Sequence, residues 1–431
     1  MRANRRQFLS VCAATLACEG VRARTAPPAL PNQEWPSSFP ALGQRVNGFP
    51  LAYLDSAATT LRPGSVIDAV TAYYSMDNAN PARAHTLAMR AADHLSNARR
   101  TVARFINAAD PSKIIFVRGT TEGINLVATS WGGRHLGRGD EVLLTIAEHS
   151  SNLLPWTRAA RTAGAIVRVL DVDDDGRPRL DRLKEMLSPR TRVLAFGHVS
   201  NVLGYINPVK EMCALARQVG ACTVVDGAQG APHVRIDVQD LGCDFYVFSG
   251  HKMLGPMATG VVWGRRDLLD AMPPYHVGSN MAHAVDFEGF ELEHAALKFQ
   301  AGTPDVAGPV GLAAAVRFLE AAGHERLRKH DEDLVEYGLA RLADVPGLRI
   351  LGPARTTTGR VPVFTFVMRD HAPAAVARAL DARGIAIRAG DMAALPLLKR
   401  FGVTEAARAS AYVYSTREDL DRLAEALRAL A

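Results

Sequence analysis

The chain has 431 residues, 48% of them hydrophobic and 22% charged, a balance that fits one large globular domain plus a smaller one. No apolar run approaches the ~18 residues a membrane-spanning helix needs, so no span is expected. The formal charge is +6, but Arg2, Arg5, Arg6, Arg22 and Arg24 against Glu19 place most of it in residues 1–26; no basic patch with interleaved aromatics remains, which removes nucleic acid from the expected partners.

Residues 1–26 read as a targeting segment. Arg5-Arg6-Gln7-Phe8-Leu9 resembles the twin-arginine export motif and precedes a modest apolar run to Cys18. Export to the periplasm is the expectation; the alternative is a disordered basic leader on a cytoplasmic protein. Residues 27–50, rich in Pro, Gly and polar side chains, read as an arm. A strand-to-turn pattern, Tyr53-Leu54-Asp55-Ser56-Ala57-Ala58, follows, and then a polar stretch ending in His85-Thr86-Leu87.

A helix pattern from about Ala88 to Ile106 leads to a strand, Ile114 to Val117. Next comes Arg118-Gly119-Thr120-Thr121-Glu122-Gly123-Ile124-Asn125. Small and hydroxyl residues between a strand and a helix start suit an anion, because backbone N–H groups and the helix dipole point at it. Hydroxyls there also serve as simple caps. The strand Glu141 to Ile146 ends at Glu148-His149, and the strand Arg192 to Phe196 ends before His198 and Asn201. A helix pattern over Pro208 to Gly220 returns the chain to a strand, Cys222 to Val225, that delivers Asp226. After one crossover, Phe245 to Phe248 delivers Ser249-Gly250-His251-Lys252.

An acid and a lysine at neighbouring strand ends suit pyridoxal 5′-phosphate (PLP). The lysine amine can bond the cofactor aldehyde, and the carboxylate can pair with the protonated pyridine nitrogen. Gln229 could donate to the ring hydroxyl oxygen. Alternating strands and amphipathic helices imply an α/β fold with a mostly parallel sheet and helices on both faces, with ligand residues at the strand ends. The expected divisions are the leader (1–26), the arm (27–50), a large PLP-binding domain (51–309) and a smaller C-terminal α/β domain (310–431), entered through a long helix from about Val310 to Ala322. The spacing of Cys12, Cys18, Cys213, Cys222 and Cys243 fits neither a zinc site nor a disulfide framework, so no metal is expected.

The segment DFYVFSGHKMLGP, residues 244–256, resembles the lysine motif of the class V aminotransferases, and of SufS-type cysteine desulfurases in particular. The resemblance runs from Tyr53 to Leu423. It includes the YLDSAA segment, RGTTEGIN as phosphate loop, and Phe299-Gln300-Ala301-Gly302-Thr303-Pro304, similar to the family's FEAGTP. It implies a fold-type I, PLP-dependent homodimer. Within it, Thr120, Thr121, Ser249 and His251 hold the cofactor phosphate, His149 stacks on the pyridine, and Asn201 touches cofactor and substrate. Arg388 and Arg408 hold the substrate carboxylate, His85 lies at the substrate entrance, and Thr303 reaches the phosphate of the other subunit.

Three stretches depart from the family pattern, one of them Ser150-Ser151-Asn152, which stands where the family has a second histidine after His149. Pro81 and Ala82 replace its His and Arg before His85. Arg388-Ala389-Gly390-Asp391-Met392-Ala393 stands where SufS-type enzymes read RTGHHC, so the persulfide cysteine falls on Ala393. Three functions follow as expectations. One is a carbon–sulfur or carbon–selenium lyase acting on an amino acid without a persulfide cysteine. Another is an exported aminotransferase-like tailoring enzyme, such as those that mature siderophores. The third is a PLP-binding dimeric scaffold without turnover.

Overall fold

The computed structural model describes residues 35–431. The leader, with Cys12 and Cys18, lies outside the described residues.

Seven strands form the central sheet: β1 (Ile114–Val117), β2 (Glu141–Thr145), β3 (Ile166–Leu170), β4 (Thr191–Gly197), β5 (Cys222–Asp226), β6 (Phe245–Ser249) and β7 (Gly260–Gly264). Their spatial order is β1-β7-β6-β5-β4-β2-β3. Every pairing is parallel except those of β7, which runs against both β1 and β6. β5, β6 and β7 are buried along their whole length. That is why they read as continuous apolar runs rather than alternating ones: helices cover both faces.

The side chains still alternate. Val225, Tyr246, Phe248 and Val261 join one core with helices Thr86–Phe105, Val209–Gln218 and Ala307–Ala322. Val224, Phe245, Val247 and Val262 join the other, with helices Thr120–Val127 and Ser150–Ala163. The expected helices are thus present, with ends shifted by at most three residues.

A second, four-stranded antiparallel sheet is built from β8 (Leu348–Ile350), β9 (Val363–Met368), β10 (Arg388–Gly390) and β11 (Ala406–Ser410), in the order β8-β9-β11-β10. Helices His324–Ala343, Pro373–Asp381 and Arg417–Arg428 cover it. Thr416 and Asp419 cap the last helix reciprocally. Helix Ala307–Ala322 puts Leu312, Val316 and Leu319 into the large core, so the second core starts only with helix His324–Ala343.

The N-terminal part ties both sheets together. Trp35 and Phe39 are buried in the large core, so this end of the expected arm is anchored by two aromatic side chains. Ala52–Tyr53 pairs in parallel with Ile385–Ala386 of the small domain, and Asp55 bridges to Ser410. The chain then crosses back, where Thr60 N–H donates to the His251 carbonyl at 2.9 Å. This path carries Asp55 to the junction between the sheets.

Candidate active site

The carboxyl ends of β1, β2, β4, β5 and β6 open on one cavity of about 510 Å³, closed on its far side by residues 388–393 and Arg408. Of the thirteen side chains singled out in the sequence, eleven line it: Thr120, Thr121, His149, Asn201, Asp226, Gln229, Ser249, His251, Lys252, Arg388 and Arg408. His85 and Thr303 do not reach the cavity of their own chain. Both are exposed, and the His85 ring accepts the Ala88 N–H as cap of its helix.

At the anion end, helix Thr120–Val127 starts one turn after β1. Ser249 Oγ accepts from Thr120 N–H at 2.8 Å and lies 2.7 Å from Thr120 Oγ1. Thr121 Oγ1 is 2.8 Å from Ser151 Oγ. Gly123 lets this helix sit against the sheet: a Cβ there would meet Val247 Cγ1 at 2.4 Å and Val262 Cγ2 at 2.7 Å.

At the other end, Asp226 closes β5, buried, with Ala228 N–H donating to Oδ1 at 2.9 Å. Burial raises its carboxyl; the Ala228 N–H and the Lys252 ammonium oppose the shift. Burial likewise lowers Lys252 to about 8, with Arg408 adding to the fall and Asp226 resisting it. His149 and His251 are lowered by burial to about 4, so both are neutral near pH 7. His149 Nδ1 accepts from Ser151 N–H at 3.0 Å, which leaves the proton on Nε2.

Gln229 lines the cavity as well. Its Nε2 donates to the Ala57 carbonyl at 2.6 Å, so one amide N–H already has a backbone partner.

The substrate end centres on Asp55, a residue of the YLDSAA segment that carries no role of its own in the sequence pattern. Arg388 Nη2 reaches its Oδ2 at 2.6 Å, and Arg408 Nη2 its Oδ1 at 3.4 Å. Arg408 is buried and also donates to the Asn201 carbonyl at 2.9 Å. Desolvation lowers its pKa to about 10. Two guanidiniums on one carboxylate leave a net charge of about +1, room for one more carboxylate.

Residues 391–393 are held through the main-chain carbonyls of Met392 and Ala393, with the Asp391 side chain accepting from Ala393 N–H. Asn201 Nδ2 donates to the Met392 carbonyl at 2.9 Å. The Ala393 carbonyl accepts from Ser150 N–H at 2.7 Å and from Ser150 Oγ at 2.9 Å. Met392 and Ala393 both have φ of 52°, a left-handed pair that such bonds must maintain. Glu148, also unassigned from sequence, is buried beside Asn152 and Thr145, and burial raises its carboxyl to about 7.

A lysine beside a buried acid at one end and a hydroxyl-lined helix start at the other form the donor set PLP requires, so the residues present fit that cofactor. Among the described residues no cluster suits a metal ion, and no helix is long and apolar enough to cross a membrane.

Known proteins place this cavity in context. The chain is 46% identical to a probable cysteine desulfurase of Halalkalibacterium halodurans over 390 residues, covering 90% of this chain and 95% of that one. It is 43% identical to a cysteine desulfurase of Salmonella agona over 400 residues, covering 92% and 98%. Among solved structures, a cysteine desulfurase of Escherichia coli superposes with a TM-score of 0.86 at 38% identity, covering 93% of this chain and 98% of that one. One from Thermococcus onnurineus superposes with a TM-score of 0.89 at 32% identity, covering 94% and 99%. The model of the class-V aminotransferases matches residues 52–423, and the chain belongs to that family of PLP-dependent enzymes.

Proposed function

We propose that this enzyme activates an α-amino acid through PLP held by Lys252 and cleaves a carbon–sulfur or carbon–selenium bond at its β carbon without carrying the sulfur on its own chain. When bound, PLP supplies an aldehyde that captures the substrate amine and a ring that accepts electrons from Cα. Asp226 would hold the ring nitrogen protonated. Thr120 and Ser249, with the helix start behind them, would hold the phosphate. Arg388 and Arg408 would take the substrate carboxylate into the net positive charge left by Asp55. Lys252, lowered to about 8, is then an amine that can both lose and take a proton near neutral pH, which suits removal of the Cα proton.

The observation that carries this reading is the absence of a thiol from that cavity among the described residues. Cys213, Cys222 and Cys243 lie in the two cores; burial raises Cys213 to about 12 and lifts the other two well above the ordinary thiol range. Position 393, where the desulfurase pattern has its sulfur carrier, offers a methyl group. Holoenzyme is incubated with cysteine, cysteine sulfinate and selenocysteine, and alanine, pyruvate and protein-bound sulfur are scored. The reading expects bond cleavage with the better leaving groups and no protein persulfide. Persulfide formation from cysteine at the rate of a cysteine-bearing desulfurase overturns it.

Transamination is the second reading, since the same residues act up to loss of the Cα proton. Release of the 2-oxo acid with the amino group left on the cofactor would decide for it. A turnover-free scaffold is disfavoured by the arginine pair, because a scaffold has no use for a carboxylate clamp. The proposed assembly is a homodimer in which the exposed Thr303 and His85 serve the partner's cavity. The proposed location is the periplasm, tested by replacing Arg5 and Arg6 with lysine and following the protein's compartment.

A further inference from the structure

One wall of the cavity carries a carboxylate that no ion pair balances. Asp391 lines the cavity and is exposed in it. Its only side-chain hydrogen bond comes from Ala393 N–H, 3.0 Å from Oδ1, and it joins no ion pair among the described residues. Every other charged group lining the cavity has a counterpart or a role. Arg388 and Arg408 share Asp55, Lys252 faces Asp226, and Glu148 is buried with Thr145 and Asn152.

Asp391 is also held in place. Gly390 turns the chain at φ 126°, where a strand would send residues 388 and 391 to opposite faces; with the turn, both line the cavity. The following carbonyls are pinned by Asn201 and Ser150. The field of Asp391 is felt at His149, where it opposes the fall of the ring's pKa.

We infer that Asp391 selects substrates whose side chain ends in a cation. Resting on the reading above, the substrate class is an α-amino acid with a thioether at Cβ and an ammonium group beyond the sulfur. Its carboxylate meets the net positive Asp55–Arg388–Arg408 group. Its distal ammonium meets Asp391, three residues further along, about 10 Å between Cα atoms at most. A thiolate or sulfinate beside the same carboxylate is repelled, so cysteine and cysteine sulfinate bind more weakly than a cationic thioether even where their carbon–sulfur bond is cleaved.

The step balances without a sulfur carrier. The Cα–H and Cβ–S bonds break, and the electron pair from Cα–H forms the Cα=Cβ bond. The sulfur leaves with its bonding pair and takes up a proton as a thiol. The remaining enamine hydrolyses with one water to pyruvate and ammonia.

Holoenzyme is titrated with S-aminoethyl-cysteine, S-ethyl-cysteine and S-carboxymethyl-cysteine. Dissociation constants are read from the cofactor's visible absorption, and pyruvate is measured separately. The inference expects the aminoethyl compound to bind at least about tenfold more tightly than the ethyl one, with the carboxymethyl compound weakest. Asp391→Asn, which keeps an acceptor for Ala393 N–H, should erase that order, and Asp391→Lys should invert it; retained cofactor absorption shows that both variants fold. Equal constants for the aminoethyl and ethyl compounds, or an order unchanged in Asp391→Asn, overturns the inference. The expected binding order without any pyruvate sinks the lyase reading alone and leaves the charge selection standing.

Discussion

At the scale of single residues, Lys252 and Asp55 decide what the cavity can do. Lys252 titrates near 8, below the ordinary lysine range, because burial and Arg408 disfavour its ammonium form more than Asp226 supports it. Its reactive amine is the deprotonated form, so uptake of PLP by cofactor-free protein should accelerate with rising pH through about 8 and level off above. Asp226→Asn removes the group that resists the fall, and the midpoint should move to lower pH; stopped-flow absorption checks both. A midpoint unmoved or moved upward contradicts the assigned field.

Asp55 predicts a contrast between its two arginines. Arg388 is half-exposed, so Arg388→Ala should leave the fold intact and raise the KM for the amino acid by roughly tenfold to a hundredfold. Asp55→Ala leaves buried Arg408 without its carboxylate and should cost about 3–5 kcal/mol in urea unfolding. Lys252 and Asp226 were legible in the sequence because each closes an apolar strand that announces itself. Asp55 was not, because its partners lie 333 and 353 positions away and nothing local marks it as a clamp.

At the scale of elements, the loop and helix at residues 119–127 show how packing positions chemistry. The strands of the large sheet were readable as apolar runs, and the helices between them as amphipathic patterns. The reversed direction of β7 was not, since its run Gly260–Gly264 has the same composition in either direction. The pinning of residues 391–393 was also hidden. It rests on main-chain carbonyls, which carry no sequence signature, although the change to Ser150 and Ala393 marked the place. Gly123→Ala tests the packing argument. The added methyl must push the helix away from Val247 and Val262, at a cost of about 1–3 kcal/mol. Thr120 would move with it, so the variant should lose PLP on dialysis faster than the parent. A variant equally stable and equally retentive would show that the helix start does not locate the phosphate.

At the scale of the whole molecule, the chain supplies eleven of the anticipated side chains to its own cavity and keeps two on the outside. The proposed dimer with shared sites would account for Thr303 and His85, and complementation tests it. Lys252→Ala subunits and Thr303→Ala subunits are each impaired alone. Mixed dimers should regain one complete site, because the intact lysine of one subunit meets the intact threonine of the other. Mixtures no more active than the two parents combined would place Thr303 in its own chain's chemistry or outside it.

The most direct measurement follows the coenzyme and the sulfur on the same polypeptide. Holoenzyme is turned over with cysteine and with S-aminoethyl-cysteine; one portion is alkylated without reduction to trap sulfane sulfur, another is reduced with borohydride to fix the coenzyme, and both are digested and analysed by peptide mass spectrometry. The account predicts the coenzyme on the peptide containing Lys252 and no sulfane sulfur on any cysteine. Coenzyme fixed to another lysine, or sulfur carried on Cys213, Cys222, Cys243 or a leader cysteine during turnover, would contradict it.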